Sequence, residues 1–306
     1  MSFVTTVRHY LRTGFSRELP QFVAQKIRNT RRRRQLGTIR RLPPLSLRSS
    51  TPENVSVHLL TSHYEWREAL WAIRSLLVQL GRPLPVVVHD DGTLRAAEVR
   101  IMQTVFPGLT VLARDEADRL ADRALALFPA CRRTRMELVL GLKLFDPWLA
   151  GTGDVILIDS DVLWFAPPVA LEEWLAGPRD RNRWNEDVAT SYCVDPDEVR
   201  RHCNLSLHPR INSGVGFIAR ASMDLEALED FLTIKRNTTN PWLIEQTAYA
   251  YLSSRHGVEL LPKTYAVDTP HGQPAVSSLT AKHYVGHIRH DFYLEGIPHL
   301  ARLWQT

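Results

Sequence analysis

Val155-Ile156-Leu157-Ile158-Asp159-Ser160-Asp161-Val162-Leu163-Trp164-Phe165 is the stretch that decides how this chain is read. Four apolar residues run straight into two carboxylates, and the chain turns apolar again at once. The apolar run, begun by Asp154, predicts a buried strand. Two acids at its carboxyl end are costly to bury unless something compensates them. A divalent cation does so, because Mg²⁺ or Mn²⁺ takes oxygen ligands and can share one or two carboxylates with phosphate oxygens. Such a pair of acids can equally cap a turn or meet arginines, and Asp-x-Asp by itself does not separate the two readings.

Upstream, Val55-Ser-Val-His-Leu-Leu and Pro85-Val-Val-Val-His predict two further buried strands, and Leu109-Thr-Val-Leu a third. Between them, Trp66, Leu70, Ile73, Leu76, Leu77 and Leu80 mark a helical face over residues 64–80, closed by Gly81. Helices are also expected over 94–105 and 131–149. Alternating strands and helices predict an α/β fold with a Rossmann-like, mainly parallel sheet covered on both faces. Ligands of such sheets bind beyond the carboxyl ends of the strands.

Three more motifs fall downstream. Ile211-Asn212-Ser213-Gly214-Val215-Gly216-Phe217-Ile218 reads as a strand with small and polar residues at its start. Gly214 permits close backbone approach, and the Asn212 amide can donate and accept, which suits a hydroxyl-rich ligand or simply a crowded strand. Glu245-Gln246 opens a helical stretch over Thr247–Ser253, as capping residues or as groups facing a site. His283-Tyr-Val-Gly286-His287-Ile-Arg289 brings an imidazole and a guanidinium close in sequence, suited to Mn²⁺ and phosphate respectively.

The charge is uneven. The 306-residue chain has net charge +5, yet residues 1–50 hold eleven Arg and Lys26 against Glu18 alone, so the remainder is net acidic. Phe3, Val7, Leu11, Phe15, Leu19, Val23 and Ile27 recur every four residues, and Gly14 and Pro20 divide the pattern into two expected short helices. The division expected is a basic amphipathic extension over 1–53 and a catalytic-type body over 54–306. The extension can serve an anionic membrane surface, pack on the body, or remain a solvated tail. No basic stripe continues into the body, so no nucleic acid partner is expected. Three cysteines without Cys-x-x-Cys spacing fit a reduced compartment. With neither a membrane span nor a signal peptide legible, the expectation is a cytoplasmic protein, peripheral on a membrane if the extension binds one.

Taken in order over residues 55–295, the four motifs resemble the glycogenin-like glycosyltransferases, family 8 of the GT-A fold. The resemblance implies a metal-dependent hexosyltransferase that uses a nucleotide sugar, UDP-linked, and acts on a hydroxyl of a glycan or glycolipid with retention of configuration. It implies Thr61 and Tyr64 at the uracil, with Asp159, Asp161 and His283 holding Mn²⁺ or Mg²⁺. Lys143 and Arg289 would stand at the diphosphate, Ser160, Ser213, Gly214 and Gly286 along the donor, and Asn212, Glu245 and Gln246 at the sugar. The chain departs from the family pattern in Glu245 for Asp, Arg289 for Lys, His290-Asp291 for Pro-Trp, and Trp242 where an acid is usual.

Rival readings stand beside it. An inverting family 2-like transferase would draw on Asp90-Asp91-Gly92 and use Glu245 as general base. A haloacid dehalogenase-type phosphatase would use Asp159 as nucleophile, but Leu163 sits where Thr or Val is usual and no late Gly-Asp-x-x-x-Asp follows. A non-catalytic nucleotide-sugar-binding relative is the third.

Overall fold

The computed structural model describes residues 32, 34–47, 54–234 and 240–304. The chain divides at Leu42/Pro43 into two units. In the first, the described residues include a 3₁₀ turn at Ile39–Arg41; the amphipathic helices expected over residues 3–27 lie outside the described residues. The second unit begins with a strap in which the Leu45 and Leu47 amides donate to the carbonyls of Val105 and Pro107.

In the second unit, β1 (Val55–Thr61) leads to α1 (Trp66–Leu80), β2 (Val86–Asp90), α2 (Ala96–Val105), β3 (Thr110–Leu112) and α3 (Arg114–Ala124). Then come α4 (Pro129–Glu137), α5 (Val139–Ala150), β4 (Asp154–Ile158), β5 (Val162–Trp164), α6 (Val169–Ala176), β6 (Asn182–Glu186) and α7 (Pro196–Cys203). β7 (Ile211–Ile218), α8 (Leu225–Leu232), α9 (Ile244–His256), β8 (Val258–Leu260), β9 (Tyr265–Val267), β10 (Ala281–His283) and α10 (Ile297–Leu303) complete it.

Seven strands form one sheet in the order β3-β2-β1-β4-β7-β6-β8, and β5-β10-β9 form a second. The first four are parallel, β7 is antiparallel to both β4 and β6, and β8 is parallel to β6. The mainly parallel α/β expectation is met. Every residue of β7 is buried, its polar start at Asn212 and Ser213 included. Trp71, Trp164, Trp184, Phe145 and Phe217 are fully buried, each contributing roughly 1.5–3 kcal/mol or more through the area withdrawn from water.

The helix expected over 131–149 is two helices. Leu138 is extended (φ −121°, ψ 126°), and α5 turns back so closely that a Cβ on Gly141 would lie 2.5 Å from the Thr134 carbonyl oxygen. Helix α3 was not foreseen: Ala117, Leu120, Ala121 and Ala124 do share one helical face, but only Ala117 and Ala121 are buried and the other seven residues are charged.

Candidate functional site

β4 belongs to the large sheet and β5 to the small one, so Asp159-Ser160-Asp161 is the crossing between them. Neither acid therefore lies within a hydrogen-bonded strand. The crossing is pinned on both sides: Asp159 N–H donates to the Gly214 carbonyl at 2.9 Å, and Tyr284 N–H donates to the Asp161 carbonyl at 2.9 Å. Ile158 pairs with Val215, which sets the polar start of β7 beside the first acid. His283 ends β10 opposite Val162, and that register brings its ring to the second.

The His283 ring is oriented by Asn212. Asn212 Oδ1 accepts the Gly214 N–H at 3.0 Å, while its Nδ2 donates to Asp187 at 3.2 Å. With the amide so fixed, His283 Nδ1 is the donor in its 2.8 Å contact with Asn212 Oδ1. Nε2 then faces Asp161 Oδ1 at 3.1 Å and Asp159 Oδ2 at 3.6 Å. The ring can approach β7 this closely because residue 214 has no side chain: a Cβ there would fall 2.1 Å from Nδ1.

Ligand atoms of Asp159, Asp161 and His283 lie within 4.8 Å of one another. Two carboxylates and an imidazole whose far nitrogen is held by an oxygen acceptor form the donor set of a divalent metal site with its orienting partner, so these residues fit Mn²⁺ or Mg²⁺. Burial opposes ionisation of Asp161, but His283 and Arg289 beside it hold its carboxyl well below the usual range. Burial pushes His283 down, and the charge of Asp161 and its hydrogen bond overcome this to raise it.

Lys143 lies beneath Asp159, only 3% exposed. Its Nζ meets Asp159 at 2.7 Å, Glu245 at 3.2 Å and the Ser213 carbonyl at 2.9 Å. Burial opposes its charge, but the two carboxylates prevail and keep it a cation above the ordinary lysine range. Glu245 is raised by burial, with Lys143 opposing the shift, and its other oxygen accepts from the Ser213 hydroxyl at 2.9 Å. Pro147 lies inside α5 and has no N–H for the Lys143 carbonyl; the Tyr249 hydroxyl donates there instead at 2.8 Å. That bond ties α5 to α9, so that Lys143 and Glu245 face each other.

Gln246 accepts from Ser213 N–H at 3.2 Å and donates to Asp187 at 3.3 Å and the Ser191 carbonyl at 2.9 Å. Asp187 thus joins Asn212 to Gln246. Sequence reasoning missed it, because it follows the unpatterned Trp184-Asn-Glu; only the antiparallel return of β6 along β7 brings it to this rim.

A cavity of about 320 Å³ opens beside the cluster, with Thr61, Tyr64, Lys143, Asp159, Ser160, Asp161 and Arg289 in its wall. Glu65, also missed, shares that wall with Asp91, which the sequence offered only through the Asp90-Asp91-Gly92 motif of the inverting reading. Thr61 Oγ1 is buried without a hydrogen-bond partner among the described residues. Asn212, Ser213, Gly214, Glu245 and Gln246 lie behind the wall as a buried polar layer. Gly286 (φ +40°) is not part of the wall; it opens the 3₁₀ turn Gly286–Ile288 that delivers Arg289. Trp242 is exposed on the turn before α9.

No protein-family model matches the sequence, and no curated protein matches it. Among solved structures, the chain is similar to the WbbM bifunctional glycosyltransferase in its apo form, with TM-score 0.53 and 13% identity over 84% of this chain. The chain spans about half, 51%, of that protein. It is also similar to mouse xyloside xylosyltransferase 1 (TM-score 0.48, 12% identity, 77% of this chain and 98% of that one). A third similar structure is the galactosyltransferase LgtC with donor and acceptor sugar analogs (TM-score 0.43, 12% identity, 76% and 87%). The likeness to WbbM, together with the sheet order, defines the fold as GT-A type. No helix among the described residues is long and apolar enough to cross a membrane.

Proposed function

We propose that this chain is a metal-dependent glycosyltransferase of the glycogenin-like kind, moving a hexose from a UDP-linked donor to a hydroxyl of a glycan or glycolipid, with retention. The observation that carries the reading is the convergence of Asp159, Asp161 and His283 on one point at the rim of a GT-A sheet, beside a cavity walled by Lys143 and Arg289. A divalent cation bound by those three residues supplies the charge that neutralises a departing diphosphate.

The chain's own residues do the rest. Arg289 offers a planar fork matched to phosphate oxygens. Lys143 holds Asp159 in place and keeps a positive charge under the leaving group. The unpartnered Thr61 hydroxyl, with Tyr64 exposed at the cavity mouth, suits the polar edge and face of a pyrimidine. Asn212, Asp187 and Gln246 form one hydrogen-bonded row from which sugar hydroxyls can be received. Glu245 is 2% exposed and engaged by Lys143 and Ser213, an arrangement that disfavours it as the free base an inverting enzyme needs and so favours retention.

The test is thermal unfolding against UDP, GDP and their sugars with and without Mn²⁺. A ligand of the folded state raises the melting temperature by mass action. A Mn²⁺-dependent rise with UDP or a UDP-hexose is expected, followed by Mn²⁺-dependent release of UDP that Asp161→Ala abolishes. Absence of a shift with every nucleotide would overturn the reading.

A further inference from the structure

Arg289 does more than line the cavity. Its Nε and Nη2 both donate to Asp161 Oδ2, at 3.0 and 2.7 Å, and Nη1 donates to Glu65. Asp161 Oδ1 is already opposite His283 Nε2 at 3.1 Å. Both oxygens of one ligand of the candidate metal site are therefore taken, one of them by a cation. A divalent ion at Asp159, Asp161 and His283 would compete with the guanidinium for that carboxylate and repel it at close range.

Glu65 and Arg289 come from opposite ends of the unit. Glu65 sits at the junction of β1 and α1, directly before Trp66, while Arg289 follows the turn after β10. Both are in the cavity wall. The guanidinium has donors enough for two acids, and only one of the two belongs to the metal cluster. Released from Asp161, it stays tethered at the cavity by Glu65, with two N–H groups free for a bidentate anion.

We propose that Glu65 and Arg289 form a latch: Arg289 covers Asp161 until a cation arrives carrying a diphosphate, then pivots on Glu65 to the phosphate oxygens. The site thereby takes cation and nucleotide together and binds the bare cation poorly. Glu65 is a positioning residue, acting through Arg289. This rests on the metal-and-diphosphate reading above. The apparent affinity for bare cation is reduced by the fraction of molecules in which Asp161 is free.

The experiment measures Mn²⁺ binding to the full chain by electron paramagnetic resonance of the free aqueous ion, without and with UDP, so that turnover is not the readout. Arg289→Met should bind bare Mn²⁺ about tenfold more tightly and Mn²⁺ with UDP about tenfold less tightly, opposite signs that simple loss of structure does not produce. Glu65→Gln should weaken bare Mn²⁺ binding in the wild-type background, because the guanidinium keeps Asp161 alone. In the Arg289→Met background it should change little, since its effect passes through the arginine. Arg289 is 39% exposed, and thermal unfolding checks each variant; Arg289→Gln repeats the test with a polar side chain. Unchanged or weaker bare Mn²⁺ binding in both Arg289 variants overturns the latch while leaving the functional reading in place. If UDP with Mn²⁺ binds no form of the chain, the functional reading falls, and tighter bare Mn²⁺ binding in Arg289→Met still upholds the guard on Asp161.

Discussion

Gly214→Ala is the smallest change that should disable the candidate metal cluster without replacing any of its three residues. An alanine Cβ would stand 2.1 Å from His283 Nδ1, 2.3 Å from Cε1 and 2.8 Å from Cγ. Carbon contacts are comfortable only near about 3.5 Å, so ring and strand must separate by more than about 1 Å. The register of β7 with β6 breaks between Gly216 and Asn212, but on the other side the strand is held next to residue 214, where Ile158 pairs with Val215 and the Gly214 carbonyl accepts Asp159 N–H at 2.9 Å. The imidazole must therefore move, breaking its 2.8 Å bond to Asn212 and taking Nε2 away from both carboxylates. Overpacking of this kind costs about 1–3 kcal/mol of stability, and disturbing the partner that orients a metal-bound histidine lowers metal affinity about 10–100-fold. Mn²⁺ titration followed by paramagnetic resonance, paired with urea denaturation, reads both. Gly216→Ala is the control: its Cβ would strike Trp184 at 2.3 Å, so it should lower stability with no comparable loss of metal affinity. A folded Gly214→Ala protein with wild-type Mn²⁺ affinity would refute the reasoning.

Other consequences can be checked separately. His58 Nδ1 and His89 Nε2 lie 2.8 Å apart between β1 and β2, where only one proton fits; burial pushes His58 down to about 3 and His89 well below its ordinary value. The unfolded chain takes up these protons first, so the stabilisation is complete above about pH 6.5 and is lost as pH falls towards 3; at pH 5 His58 alone costs about 2 kcal/mol. Urea midpoints at pH 7.5 and 5 should show this loss in wild type and a shallower one in a His58→Gln, His89→Gln chain; equal slopes would refute it. Lys143→Met leaves Glu245 buried without its cation and should cost about 3–5 kcal/mol, part of it recovered by adding Glu245→Gln; no recovery would mean that the pair is uncoupled. Tyr249→Phe leaves the Lys143 carbonyl without the donor that Pro147 cannot supply, a loss of about 1–3 kcal/mol in the same assay, and a neutral substitution would show that water takes the hydroxyl's place.

The elements legible in the sequence are those whose burial leaves a period. β1, β2, β4 and β7 are apolar runs because neighbours cover them, and α1 shows a helical face ended by Gly81 at φ 72°. The motifs at their ends stand out because polar residues interrupt those runs, so Asp159, Asp161, Asn212 and His283 could be singled out one by one. Their convergence could not be read locally. It depends on the chain leaving the large sheet after Ile158 and joining the small one at Val162, and on β10 pairing with β5 in the register that sets His283 against Val162. The break at Leu138 left no signal because what shapes it is close approach, as of Gly141 to Thr134, and not hydrophobic pattern; the face of α3 was overlooked because its apolar residues are mostly alanine set among charges.

Asp187 and Glu65 escaped notice although each is an acid at the rim, and the contrast with Asp159 and Asp161 is instructive. Asp159 and Asp161 interrupt an apolar run, whereas Asp187 and Glu65 follow polar residues. Only pairing distinguishes them. Asp187 gathers Asn212 and Gln246 through one oxygen, and Glu65 holds the same guanidinium that holds Asp161. The candidate metal cluster is thus bounded by two ionic contacts of different kind. Lys143, buried among Asp159, Glu245 and Ser213, has no solvent into which to retreat and must stay. Arg289, at the cavity mouth with a second acid to lean on, can leave Asp161 without becoming an unpaired charge. On the proposed function, the mobile role in donor binding therefore falls to the arginine and the fixed one to the lysine, an assignment that follows from burial and partner number and not from charge.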